Sequence, residues 1–385
     1  MLDEGYLEMM VGGVDAPAYV KKDSIDALGE VDAVIFDCDG VLIDVRESYD
    51  LAVRETSQRI IKALTGIILP DGLLDGDTLF AFRRTGGFNN DWTLTYAIVM
   101  HVLSRLPEDA LHGLKVNAES ALKIRDCRDR FDLMKESTQA SDLEIPDLKR
   151  SLKEFVEGLD ETGTLSVDRQ LLRQVGEDVK EALGYPGGVG ESLIPTLFEE
   201  LLSGPELFED TFRVPARFET GERGLVERGR VILAPEALTR LNVVVGSSKF
   251  GIASGSKAGT AEHVLGGLLD RFHREARVWM DDVDEAIRET WIPNLSKPHP
   301  FSLLRASRPL EPFQGLLYVG DSVADLTMTE KARGGDPRFL FAGVYCFTAS
   351  RDAVLEEFMK GGADIIAPSV NELPIILEKI RGEYA

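Results

Sequence analysis

Asp37 and Asp39 stand two residues apart in VIFDCDGVLID, directly after an apolar, β-branched run. Such a run reads as a strand buried on both faces. In open parallel sheets, ligands bind at the carboxyl ends of strands. Two carboxylates at that place can act as a nucleophile and a general acid–base, or as hard oxygen ligands for a divalent cation. Gly40 lets the chain turn tightly behind them. Taken alone, the pattern is equally an Asx-type turn without chemistry. An EF-hand calcium loop is excluded, because glycine is the fourth residue and Ser48 stands where the closing glutamate belongs.

Three later segments carry similar signals. KFGIASGS ends an apolar run in the hydroxyl residues Ser254 and Ser256 on either side of Gly255. Ser254 could hydrogen-bond a phosphate oxygen, with neighbouring backbone N–H groups such as that of Gly255 assisting. An ordinary Gly/Ser turn explains the segment equally well, and no GxxxxGK[ST] P-loop is present. SKPHP sets Lys297 in a loop stiffened by two prolines, where an isolated lysine would otherwise be a surface charge. GLLYVGDSVAD ends a run with Asp321 and, four residues on, Asp325, the latter in the first turn of an expected helix. An acid there is also favoured simply by the helix dipole.

Four such features in this order, each at an expected strand end, resemble the haloacid dehalogenase superfamily. The resemblance rests on DCDGVLID, the Ser254 turn, Lys297 in KPHP, and GDSVAD. It covers 31–45 and about 245–370. It implies a Rossmann-like parallel-sheet α/β core and a phosphoglycolate phosphatase-like hydrolase of phosphomonoesters. Asp37 would attack phosphorus to form an aspartyl-phosphate, and Asp39 would be the acid and then the base. Ser254 and Lys297 would hold the phosphate. Mg²⁺ would be bound by the side chains of Asp37 and Asp321 and the backbone carbonyl of Asp39, with Asp325 in support. The superfamily's dehalogenases and phosphonate hydrolases lack the second aspartate, so Asp39 points to phosphoryl transfer. A phosphomutase of the β-phosphoglucomutase type and a non-catalytic regulatory member are the rival readings.

The surrounding elements fit this frame. From about Lys249 onward, short β-rich runs alternate with helical segments, which argues for a parallel sheet covered by helices. VDAVIFD has the same texture and belongs with them. The expected core is thus 1–45 with 241–385, residues 1–30 being a short helix or an extension packed upon it. Residues 46–240 read as an inserted, mostly α-helical cap, larger than the superfamily's usual one. Six segments there are helical by spacing. They include RESYDLAVRETSQRIIKALTG stopped at Gly66, DWTLTYAIVMHVLSRLP with Asp91 as N-cap, and DRQLLRQVGEDVKEAL. RRTGGFNNDWTLTY stands out within it. Arg83 and Arg84 could meet an anionic substrate and Trp92 could pack on it, with Asn89, Asn90 and Asp91 at the helix start. A glycine loop, a cap and a core tryptophan would explain the same residues. Cys38, His263, His273 and His299 read as packing, helix-surface or loop residues.

Composition excludes other classes. The 385 residues carry a formal net charge of −23, spread along the chain. Nucleic acids and anionic membranes need clustered positive charge, so neither is the expected partner. Three well-separated cysteines suggest neither a disulfide framework nor a structural zinc site. The acidic start of the chain is unlike a signal peptide, and no apolar run reaches the ~18 residues of a membrane span. A cytoplasmic enzyme for a small phosphorylated metabolite is the resulting expectation. Phosphoglycolate, histidinol phosphate, sugar phosphates and nucleotides stay open as substrates, as do monomer and homodimer.

Overall fold

The computed structural model describes all residues except 1–4, 12–15, 89, 136–146, 219, 222, 293, 349 and 384–385. It divides into two compact units, Met1–Val45 with Gly229–Ala385, and Arg46–Arg228.

The first unit is an α/β domain built on one eight-stranded sheet. Its strands are β1 (Tyr6–Met10), β2 (Pro17–Lys21), β3 (Val31–Phe36), β6 (Phe250–Ala253), β7 (Arg277–Val278), β8 (Gly315–Gly320), β9 (Phe339–Val344) and β10 (Ile365–Ala367). β4 (Ile43–Asp44) and β5 (Arg230–Val231) form a separate antiparallel pair. The order is β1-β2-β10-β9-β8-β3-β6-β7, parallel from β10 to β7. β3 lies between β8 and β6, so its end is flanked by two others. Successive residues Val34, Ile35 and Phe36 of β3, and Leu317, Tyr318 and Val319 of β8, are fully buried. A strand apolar on both faces must be covered on both, and helices such as Val323–Arg333 and Leu373–Glu383 alternate with the strands.

One expectation gains detail and one needs correction. Residues 1–30 contain a short helix, Ile25–Gly29, but also β1 and β2, which form an antiparallel ribbon whose inner strand pairs β10. The sheet is therefore mixed. Second, the boundary expected after residue 240 falls at 228/229. Ile232, Leu233, Leu238 and Leu241 belong to the apolar core of the first unit, and the Ile232 N–H donates to the Leu42 carbonyl at 2.7 Å.

The second unit is helical. Tyr49–Thr65 closes on Gly66 in the left-handed conformation, as its pattern predicts. Asp91–Ser104 is buried from Thr93 to Ser104, so this helix is wrapped on every side and not merely along one stripe. Its N-cap is Asn90, not Asp91: the Asn90 Oδ1 accepts from the N–H groups of Trp92 (2.8 Å) and Thr93 (3.3 Å). Asn89 lies outside the described residues. DRQLLRQVGEDVKEAL is two helices, Thr164–Val175 and Glu177–Leu183. Gly176 lies between them at φ +103°, which no helical residue adopts. No helix among the described residues is long and apolar enough to cross a membrane.

Candidate active site

β3 stops at Phe36 and the chain turns sharply through the acids. The Cys38 carbonyl accepts from the N–H groups of Leu42 (2.7 Å) and Ile43 (3.0 Å), while the Cys38 N–H donates to Asp37 Oδ1 at 2.7 Å. Gly40 is required there twice over. Its φ is +73°, and a Cβ on it would fall on the Asp321 carboxylate. Gly320, the last residue of β8, likewise has no room for a Cβ because Asp325 folds back over it. Two glycines thus let acids from neighbouring strand ends converge. Asp37, Asp321 and Asp325 each place a carboxylate oxygen within 4.8 Å of the others.

Lys297 joins this cluster from its own loop. Its Nζ lies 2.8 Å from Asp37 Oδ1 and 2.8 Å from Asp325 Oδ1. Burial works against the ammonium, but the carboxylates of Asp325 and Asp37 outweigh it and hold Lys297 above the ordinary lysine range. For Asp37, burial pushes the carboxyl up to about 6, against the pull of Lys297 and with the Asp325 charge adding to it. Asp321 is pushed well above its ordinary value, first by burial and then by the charges of Asp325 and Asp37. The helix Val323–Arg333 places Asp325 through a capping box: Ser322 Oγ donates to Asp325 Oδ2 at 2.6 Å, and the Asp325 N–H donates back to Ser322 Oγ at 3.2 Å. Tyr318 Oη donates to Asp325 Oδ1 at 3.0 Å. Both Asp325 oxygens therefore have donors within the protein.

β6 delivers Ser254, which is buried, and Gly255, which is exposed with open space where a Cβ would be. Ser254 Oγ lies 2.9 Å from Ser256 Oγ, which in turn donates to Asp39 Oδ2 at 2.7 Å. Two groups result: Ser254, Ser256 and Asp39 joined by hydrogen bonds, and Asp37, Asp321 and Asp325 clustered with Lys297. Tyr318 and Ser322 are contributors that motif reading does not single out.

Cys38 is packed in the apolar core, and burial followed by the charges of Asp39 and Asp37 drives its thiol well upward. His299 belongs to its loop, its Nδ1 accepting from the Phe301 N–H at 3.2 Å.

The remaining candidates lie in the helical unit. Arg83 Nη2 sits 2.7 Å from Asp50 Oδ1 and 2.9 Å from Asp91 Oδ1, so its charge is matched by two carboxylates. Arg84 is exposed. Trp92 is half-buried, its Nε1 donating to Glu199 Oε1 at 2.9 Å.

No family model and no curated protein matches the chain. Solved structures do. An X-ray structure of a Northeast Structural Genomics Consortium target covers 91% of this chain and 99% of its own, at 17% identity and a TM-score of 0.62. The chain shares that fold. A conserved haloacid dehalogenase-like protein of unknown function from Agrobacterium tumefaciens aligns at 15% identity and a TM-score of 0.41. A hydrolase from Pseudomonas syringae aligns at 14% and 0.39. Both cover 91% of this chain and 99% of their own, and neither carries weight at that depth. The Rossmann-like α/β core, with acids at the ends of β3 and β8, is the fold that the haloacid dehalogenase resemblance implies.

The donor set fits a hard divalent cation. It consists of carboxylate oxygens, and among the described residues no hydrogen-bond donor reaches the Asp321 carboxylate. Three clustered acids with one shared ammonium leave uncompensated negative charge, which a cation would neutralise.

Proposed function

We propose that the protein is a Mg²⁺-dependent phosphatase of the haloacid dehalogenase type, hydrolysing a small phosphomonoester. The observation that carries this reading is the convergence of Asp37, Asp321 and Asp325, from the ends of the parallel neighbours β3 and β8, with Lys297 from its own loop. Asp37 attacks phosphorus, the P–O bond to the leaving group breaks, and an aspartyl-phosphate forms on Asp37. Asp39 gives its proton to the departing oxygen and takes one from the water that then cleaves the acyl phosphate. Lys297 neutralises a phosphoryl oxygen, and Ser254 donates a hydrogen bond to another. Asp325 holds Lys297 in place. Asp37, Asp321 and the Asp39 carbonyl would hold Mg²⁺, which would supply further charge neutralisation on the phosphoryl group. Arg84 and Trp92 are our candidates for contacts to the organic part of the substrate, while Arg83 is committed to Asp50 and Asp91.

The test is phosphate release from a panel of phosphorylated metabolites. Wild type with Mg²⁺ is expected to turn over at least one member. EDTA and Asp37→Asn are each expected to lower kcat at least a thousandfold, because each removes a group the chemistry requires. Folded protein releasing no phosphate from any member, or releasing it equally with Asp37→Asn, would sink the reading.

A further inference from the structure

We propose that Ser256 is a positioning residue for the acid–base carboxylate of Asp39 and couples that carboxylate to the phosphate-binding hydroxyl of Ser254. The inference rests on the phosphatase reading above. Ser256 is buried, three residues beyond the end of β6, and its Oγ donates to Asp39 Oδ2 at 2.7 Å. This bond ties the loop after β6 to the loop after β3, the strand beside it. A serine hydroxyl has one proton. While Asp39 Oδ2 carries no proton, Ser256 directs its own proton to it, so Ser254 donates across the 2.9 Å contact between the two serine oxygens. The Ser256 N–H donates to Ser254 Oγ at 3.1 Å and fixes the pair. The result is a one-way chain of donors, Ser254 to Ser256 to Asp39.

Two consequences follow. Asp39 sits half-buried on the loop after β3. The Ser256 bond anchors one oxygen, and proton delivery depends on such orientation. In addition, Ser254 has only one proton to give. A phosphoryl oxygen that accepts it takes it away from Ser256, so filling the phosphate subsite alters the support beneath the acid–base group. The two serines therefore link phosphate binding to proton transfer.

Leaving-group chemistry tests this. A p-nitrophenolate departs without a proton, whereas an alkoxide needs one, so a residue acting through the general acid matters most for the poorer leaving group. The experiment measures kcat and KM on p-nitrophenyl, phenyl and ethyl phosphate for wild type, Ser256→Ala and Ser256→Thr, and for Ser256→Ala in an Asp39→Asn background. Ser256→Ala is expected to lose about tenfold more kcat on ethyl phosphate than on p-nitrophenyl phosphate. Ser256→Thr, which keeps the donor, is expected to recover most of it. In the Asp39→Asn background, Ser256→Ala is expected to cost less than about twofold. Equal losses along the ester series, or a full loss in the Asp39→Asn background, would overturn the proposal. If Ser256→Ala fails to fold, Ser256→Cys, close in size and a weaker donor, must give the same dependence on leaving group, and a flat response from it overturns the role. Wild type without Asp37-dependent release from any ester would overturn the phosphatase reading and this role with it. Active wild type with a flat Ser256 response overturns only the latter.

Discussion

His101 shows how a single buried side chain outside the acidic cluster can govern stability. Its ring stacks on Phe155 at 4.8 Å, and Nε2 lies 3.1 Å from Ser151 Oγ. Nδ1 has no partner among the described residues. Burial, with Arg105 adding to it, lowers the imidazole to about 4. The unfolded chain protonates this histidine near 6.5, so between 6.5 and 4 the unfolded state holds the extra proton. The contribution is complete above 6.5 and is lost as pH falls toward 4, to a total of roughly 3 kcal/mol. Urea unfolding of the helical unit from pH 7 to 4.5 is expected to show this slope, and His101→Gln to lack that part of it. Equal slopes in the two proteins would refute the assignment. Residues of this kind are hard to read from sequence. Asp37, Asp39, Ser254 and Asp321 stand out in the sequence because each follows an apolar run at its turn, whereas Lys297 is marked only by the prolines beside it. Tyr318 is hidden because it stands inside such a run and looks like core. Arg83 reads as a free charge because its partner Asp50 is 33 residues away in the chain.

Among the elements, the strands that carry the site are legible, since β3, β6 and β8 are apolar runs ending in glycine, acids or hydroxyls. The β1–β2 ribbon is not. YLEMM and PAYVK are short, and β2 is buried only because β10, some 345 residues later, pairs with it. Ala18 and Val20 are wholly buried, and the Lys21 N–H donates to the Asp364 carbonyl at 2.9 Å. Removing residues 1–22 would strip apolar cover from the core and leave β10 with an unpaired edge. We expect a loss of about 3 kcal/mol or more and concentration-dependent association, because bare edges recruit other strands. Thermal melts and light scattering at two concentrations would check both. An unchanged melting midpoint in a monodisperse sample would show the ribbon to be dispensable. The split at Gly176 is equally obscure in the sequence, since one glycine in a helical pattern is usually tolerated and only its φ of +103° reveals a break.

For the molecule as a whole, the alternation of strands with helices and the long helical interruption were legible in outline, because each has its own hydrophobic period. The return to the first unit comes a dozen residues before the expected boundary. 229–240 contains a two-residue strand and the first turns of a helix, too little pattern to assign before the packing of Ile232 and Leu238 is seen. That return has a practical meaning. Asp44 pairs directly with Arg230 and Ile43 with Val231 in an antiparallel ladder, so the path leaves the α/β unit and re-enters it at adjoining backbone positions. Viewed from the sheet, everything between is one very long hairpin loop. Joining Val45 to Gly229 would leave a two-residue connection, and Val45→Asn would make it Asn-Gly, the dipeptide that best closes such a ladder. The shortened polypeptide is expected to keep the far-ultraviolet dichroism of an α/β protein and to melt cooperatively. A non-cooperative melt would mean that the α/β unit depends on its guest to fold. The gene for this protein would then encode a host and a passenger that can no longer be separated.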